Sequence, residues 1–340
     1  MSSCRFPARS IALQIFLSVL TGISSIVGAQ EISRPGIEEG PTVLKARVVL
    51  LDVEEISSHK QVFTANLYYM VSWRDERLKH EGPGDRWMRL DEAWAPSIQL
   101  VNQQRTIRTF PERLLVTPEG EVSYRQRVWG NFSQKLHLHD FPFDSQKFSI
   151  PLVLASANSN SGNIQVVQDE DLPSGLSREF ALPDWSILSW TAEPSVYAPL
   201  GGDETRSSFV FSFTAERYAE FYALKFLLPL FLIVCMSWIV FWVDPREMGS
   251  QISVSVTSML TLIAYRFMVG GSLPAVNYLT RMDKFILAAT LLVFATLIEA
   301  VITGTLARRE RVELALRIDG FARILFPAAT VMLSAWTLLG

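Results

Sequence analysis

The chain has 340 residues, 49% of them hydrophobic and only 19% charged, where soluble domains carry about 25% charged residues. With a mean hydropathy of +0.21 and a net charge of −3, it is too apolar for an ordinary soluble enzyme, too polar to be all membrane, and has no electrostatic reason to bind nucleic acid. Two cysteines exclude a disulfide-rich scaffold, and 21 Phe without sustained heptads exclude disorder and coiled coil.

Residues 1–29 read as a signal peptide: Arg5 and Arg9 give a positive start, Ile11 to Leu20 an apolar stretch, and Val27-Gly28-Ala29 a small-residue cleavage site. A retained N-terminal anchor is the other reading. Cleavage would remove Cys4 and leave Cys235 alone, so the exported part would hold together by packing without a disulfide.

Residues 30–221 have the rhythm of strands. The stretches 43–53, 61–73, 122–138, 147–155 and 208–217 alternate or run apolar, and turn-rich segments such as Pro118-Glu119-Gly120 separate them. At about Tyr222 the composition changes. Four apolar runs, about 222–243, 251–269, 284–306 and 321–338, approach the ~20 residues that span a bilayer. After an exported N-terminus, four spans put both termini on the periplasmic or extracellular side of the cell inner membrane. Arg308, Arg309, Arg311 and Arg317 then fall in an inner loop, as the positive-inside rule requires. The chain therefore reads as an extracellular all-β sandwich, immunoglobulin-like with about ten strands, followed by an all-α four-helix transmembrane domain over 222–340.

The second span is the least apolar. Helical spacing puts Ser253, Thr257, Leu260, Ala264 and Phe267 on one face, hydroxylated toward the inside and apolar toward the outside. Such a face can line a water path, where hydroxyls replace part of an ion's hydration and an apolar ring closes the path by dewetting. One helix encloses no pore, so this reading needs a symmetric ring of copies. The other reading is that the hydroxyls bond back to the helix or to its neighbours. No Gly-x-Ser-x-Gly, His-Glu-x-x-His or phosphate-binding loop occurs, so nothing in the sequence supports an enzyme or a cofactor.

Six segments in order carry a further pattern. These are WRDERL (73–78), WAPSIQLVN (94–102), HDFPFDSQKF (139–148), Arg217 twelve residues before Pro229, SLP (272–274) followed by Tyr278, and RILFP (323–327). Together they resemble the prokaryotic branch of the pentameric ligand-gated ion channels, the Cys-loop receptor superfamily. The two loop cysteines of that superfamily would fall at Gln134 and Phe148, so the covalent loop is absent, and a linker of about a dozen residues stands where animal receptors carry a large cytoplasmic insert.

The resemblance implies a homopentamer in a lipid bilayer, four further copies of the chain being its partners, with inorganic ions permeating and a small-molecule agonist bound between subunits. It places Tyr68, Val101, Ala155, Tyr197 and Arg206 at ligand-binding positions, a poor aromatic cage for an amine; Arg206 there would favour an acidic ligand. It assigns coupling of the two domains to Asp144 meeting Arg217, with the 54–60 loop and Phe141-Pro142-Phe143 resting on Leu273-Pro274. Glu247 is the candidate selectivity ring, favouring cations, with Arg246 beside it and an anion-selective channel as the alternative. A membrane-anchored sensor without conduction is the other alternative. For a proton-gated member, the resemblance puts Tyr265 at a pore-helix histidine and Gln61 at an acidic sensor. Outside that pattern, His137 and His139 are a candidate metal pair on one strand face, and Asp169-Glu170-Asp171 a candidate modulatory calcium cluster.

Overall fold

From Leu44 to Leu50 and from Phe63 to Trp73 every second residue is apolar and buried, the pattern of strands with one face on a core. The computed structural model describes residues 33–36, 40–155, 164–198, 205–271 and 276–339. Among them are twelve strands, where the sequence suggested about ten. They are β1 (Thr42–Ser57), β2 (Val62–Arg74), β3 (Arg86–Arg89), β4 (Ser97–Leu100), β5 (Gln103–Arg108), β6 (Arg113–Val116), β7 (Glu121–Ser133), β8 (Ser145–Ala155), β9 (Ile164–Gln168), β10 (Gly175–Leu176), β11 (Trp185–Tyr197) and β12 (Arg206–Arg217).

One sheet runs β10-β1-β2-β7-β6-β3, with β9 on β1 and β5 on β7; the other runs β11-β12-β8-β4. The two pack face to face over Phe63, Phe132, Phe148, Phe213 and Trp185, whose rings meet at 5.0–5.8 Å. At Gly130 the backbone has φ +150, and a Cβ there would lie 2.1 Å from the Arg105 carbonyl oxygen, so only glycine lets β5 close onto β7.

Four helices follow: α1 (Ala219–Trp242), α2 (Met248–Gly270), α3 (Arg281–Arg308) and α4 (Val312–Leu339). Each is long and apolar enough to cross a membrane, so the chain is a multi-pass membrane protein. Pro229 cannot donate to the preceding turn, and a π-helical turn over Ala223–Leu227 absorbs the mismatch. Thr280 and Asp283 cap α3 reciprocally, at 3.1 and 3.0 Å.

Three expectations change. The fourth helix begins at Val312, not near 321, so Arg317 is helical and only residues 309–311 separate α3 from α4 in place of a dozen-residue linker. A hydropathy window registers the apolar part of a helix and misses charged turns that continue beyond the bilayer. Strand β7 stops at Ser133, because Gln61 and Gln146 take the backbone N–H groups of Leu136 and His137 that a strand partner would otherwise hold. His137 and His139 therefore do not share a strand face. Strand β11 has no counterpart among the sequence-read strands, because it is an edge strand with mostly exposed residues and Pro194 within it.

Gly130→Ala should destabilise the protein by about 2–4 kcal/mol, read as a lower melting temperature in detergent, while Gly175→Ala, with open space around it, should not. Equal melting of the two variants would contradict the β5–β7 register.

Candidate functional site

Strand β12 runs almost directly into α1, so its last residue, Arg217, stands at the seam between sheets and helices. Its side chain is 1% exposed and that of Asp144 is 2% exposed. Arg217 Nε donates to Asp144 Oδ1 at 2.9 Å, Nη2 to the Ser58 hydroxyl at 2.9 Å, and Nη1 to the Tyr222 hydroxyl at 3.2 Å. Its guanidinium lies 4.0 Å from the Trp185 ring centre and 4.8 Å from that of Phe141. Gln146 donates to the second Asp144 oxygen at 2.7 Å, which leaves neither charge in want of a partner. Asp184 is close by as well; burial raises its carboxyl above the ordinary range, and the Arg217 charge opposes this only in part.

Phe141 and Pro142 are buried in this seam, with Phe143 half-buried beside them. Leu273 and Pro274, the expected seat of this loop, lie outside the described residues. The contacts described run instead to the residues just beyond. Leu138 donates its backbone N–H to the Tyr278 hydroxyl at 2.9 Å, and the His139 and Tyr278 rings stack at 3.9 Å. Asp140 pairs with Arg281 at 2.8 Å, and the backbone N–H of Met282 reaches the Phe141 carbonyl at 3.3 Å. The sequence pattern pointed to Tyr278 as a marker but not to His139, Asp140 or Arg281 as contacts.

Helix α2 has two unlike faces. Gln251, Ser255, Ser258, Leu262, Tyr265 and Val269 are buried against the other helices. Ser253, Thr257, Leu260, Ala264 and Phe267 are all exposed, Leu260 at 61% and Phe267 at 83%. Thr257 and Thr261 donate to the carbonyls of Ser253 and Thr257, at 2.7 and 2.8 Å, so each hydroxyl keeps its proton on the helix and turns its lone pairs outward. Glu247 is the N-cap residue of α2; it and Arg246 are both exposed. Gln61 and Tyr265, which the sequence resemblance set against titrating residues of a proton-gated member, both form hydrogen bonds, Tyr265 donating to the Phe226 carbonyl at 2.5 Å and Gln61 accepting from the Leu136 N–H at 2.6 Å.

On the outer face of the larger sheet, register sets Arg47, Met70 and Arg125 side by side, with Val49, Tyr68 and Arg127 in the next row. Met70, between the two arginines in register, is 4% exposed. The Nε atoms of Arg47 and Arg125 are buried without a hydrogen-bond partner, and among the described residues neither these two nor Arg127 pairs with a carboxylate. Burial raises the Tyr68 hydroxyl above its ordinary value, against the pull of Arg125 and Arg47. This cationic row was readable as alternation in both strands, but only register joins them.

The remaining ligand-position residues lie on the other sheet. Tyr197 and Arg206 are cross-strand partners, Ala155 pairs with Ser97, and Val101 follows β4 with its N–H on the Pro151 carbonyl at 3.2 Å. One chain does not bring them to Tyr68. The acidic run does not converge either: Asp169 accepts from the backbone of Asp171 and Leu172, Asp171 pairs with Lys45, and no group of three metal-ligating side chains is found among the described residues.

The family model described as the neurotransmitter-gated ion-channel ligand binding domain matches residues 28–210, and that of the transmembrane region matches 226–313. A proton-gated ion channel of Gloeobacter violaceus is 25% identical over 305 residues, 88% of this chain and 83% of that one. A gamma-aminobutyric acid receptor beta subunit and an acetylcholine-gated chloride channel subunit, both of Caenorhabditis elegans, are 26% and 27% identical over 78% and 81% of this chain. The chain spans 50% and 60% of the length of these two animal proteins.

Asp144→Asn and Arg217→Gln should each cost about 3–5 kcal/mol, because each strands a buried charge. The double variant should lose less than the sum, measured by thermal melting of the detergent-solubilised protein. Single variants that melt like the wild type would contradict the pairing.

Proposed function

Since the chain belongs to the neurotransmitter-gated ion-channel family, whose members are ligand-gated channels and not enzymes, we propose that five copies of it surround a pore in the cell inner membrane, opened by a small molecule bound between their β domains. Both termini lie on the periplasmic or extracellular side. The observation that carries this proposal is the exposed face of α2. A lone helical hairpin protein has no use for Ser253, Thr257 and Leu260 aligned on an exposed stripe, whereas a ring of five makes that stripe a lumen. Outward-turned hydroxyl lone pairs at Thr257 and Thr261 suit a partly dehydrated cation, and Leu260 forms the dewetting gate.

The channel selects cations. A helix N-terminus carries about half a positive charge, and the full negative charge of a Glu247 carboxylate outweighs it. Arg246 beside it is offset by the exposed Asp244 carboxylate, which accepts the Arg246 backbone N–H at 2.9 Å, so a modest net negative charge remains and the selectivity is modest. Glu247→Gln should move the reversal potential in a salt gradient toward the anion value; a wild type already reversing there would make the channel anion-selective.

The agonist is an anion. Arg47, Arg125 and Arg127 offer guanidinium donors without internal carboxylates, beside the face of Tyr68. Apposition of a second copy would bring Tyr197 and Arg206 toward that row, joining the positions that one chain keeps apart. Coupling to the pore then runs through Asp144–Arg217 and the His139–Tyr278 and Asp140–Arg281 contacts.

Two electrophysiological outcomes are expected. Leu260→Ser should ease opening and shift the dose–response curve to at least about tenfold lower agonist. Arg125→Ala should raise the agonist concentration needed by about tenfold or more, as loss of a charged hydrogen bond does. A Leu260→Ser curve identical to wild type would remove Leu260 as the gate, and activation of Arg125→Ala by cationic amines alone would remove the anionic agonist.

A further inference from the structure

Strand β1 ends at the seam, where Ser58 meets Arg217, and begins at the opposite end of the β domain, beside the last residues of β2. By the rise of a strand the two ends are about 50 Å apart. A cavity of about 780 Å³ opens at the far end, lined by residues 33–36, 41–43 and 74–77. That volume is within the range of small-molecule sites. Three arginines line it, Arg34, Arg74 and Arg77, with two acids, Asp75 and Glu76. Both acids are already engaged. Arg77 holds the buried Asp75 on two prongs, Nε to Oδ1 at 2.8 Å and Nη2 to Oδ2 at 2.7 Å. Glu76 pairs with Lys79 at 3.1 Å and with Arg74 at 3.3 Å. Arg77 also reaches the Ser33 hydroxyl at 3.1 Å and its carbonyl at 2.9 Å, which ties the segment before β1 to the end of β2.

Arg34 differs from the other two. It is 9% exposed, yet forms no ion pair among the described residues. Its Nη1 donates to the Gly40 carbonyl at 2.8 Å and to the Thr42 hydroxyl at 2.6 Å, and Thr42 gives its own proton to the Pro35 carbonyl at 2.7 Å. These bonds fix the guanidinium by one corner. Its Nε and Nη2 edge has no hydrogen-bond partner among the described residues.

A largely buried guanidinium without a counter-charge is costly, and a fixed edge with two parallel N–H donors matches the geometry of a carboxylate. The lining carries three positive and two negative side chains, so one further negative charge balances it. Pro35, Pro41 and Val43 add an apolar wall for the body of a ligand. We propose that this cavity binds a small organic monocarboxylate, seated on Nε and Nη2 of Arg34, with the exposed Arg74 at the rim as a second, weaker contact. An occupied site ties residues 33–42 to the end of β2 more firmly than the Ser33–Arg77 contact alone. None of Arg47, Arg125 and Arg127 lines the cavity, so it is distinct from the proposed agonist row, and it does not rest on the channel function proposed above.

The test uses the purified full-length protein carrying Arg125→Ala, which weakens binding at the agonist row. Benzoate is titrated into it by saturation-transfer NMR, with benzamide as a neutral isostere and inorganic phosphate as a compact anion. Benzoate should bind saturably, and benzamide at least about tenfold more weakly, because the amide forgoes the charged pair. Adding Arg34→Lys keeps the charge and removes the two-donor edge, and should weaken benzoate about tenfold or more. Adding Arg74→Gln should weaken it about threefold, as loss of an exposed charge does. Arg34 also holds Gly40 and Thr42, so if Arg34→Lys melts below its parent, Arg74→Gln and the benzamide comparison decide. Equal benzoate affinity in a well-folded Arg34→Lys and its parent would overturn the site. Equal affinity for benzoate and benzamide would make the cavity merely apolar and overturn it as well. Phosphate that displaces benzoate and binds more tightly would make it an inorganic-anion site instead. Benzoate that binds only after Glu38→Gln and Glu39→Gln are added would mean that the chain's own acids fill the site, which also removes the proposal.

Discussion

A guanidinium that reaches no water must find every partner within the protein, and Arg217 finds them on separate pieces of the chain. Asp144 comes from the loop before β8, Ser58 from the loop after β1, Tyr222 from α1 and Trp185 from the start of β11. The sheets and the helices therefore meet at one charge. Separating any two of these pieces exposes or strands it, at a cost of several kcal/mol. The second link runs from Leu138, His139 and Asp140 to Tyr278 and Arg281 at the head of α3. The loop that holds Asp144 thus contacts both α1, continuous with β12, and α3.

Helix α2 is constrained from one side only. Its buried face is packed against α1 and α3, and at its inner end Met248 sits where Gly304 leaves no room for a side chain: a Cβ at Gly304 would meet Met248 Cγ at 2.6 Å. Among the described residues the opposite face is left exposed. That asymmetry is what the proposed pore-lining role of α2 rests on. Hydroxyls that bond back to their own helix were one of two readings of the sequence, and they do so at Thr257 and Thr261. The two readings turn out compatible, because a hydroxyl that has given its proton to a carbonyl still presents an acceptor.

Much of the fold was legible from periodicity. The long strands β1, β2, β7, β8 and β12 bury alternate residues on a common core, and hydropathy alone located all four helices. Strand β11 was not legible, since an edge strand with an exposed surface and an internal proline carries no alternation. The start of α4 was missed for a different reason: its first turns are amphipathic and charged, so helix and membrane span have different ends. At the sites, residues on one element were found readily, as in the α2 stripe. Groupings that depend on register between elements were not, and this holds for Arg47 with Arg125 and for His139 with Tyr278.

The central claim is that the exposed stripe of α2 faces an ion pathway enclosed by five copies. It is tested most directly by determining the mass of the purified protein and recording from the same preparation in planar bilayers while amino acids, organic acids and amines are screened. A mass of five chains, with unitary currents that appear on adding an acidic ligand, is the predicted result. A smaller assembly with no current under any screened condition would contradict it.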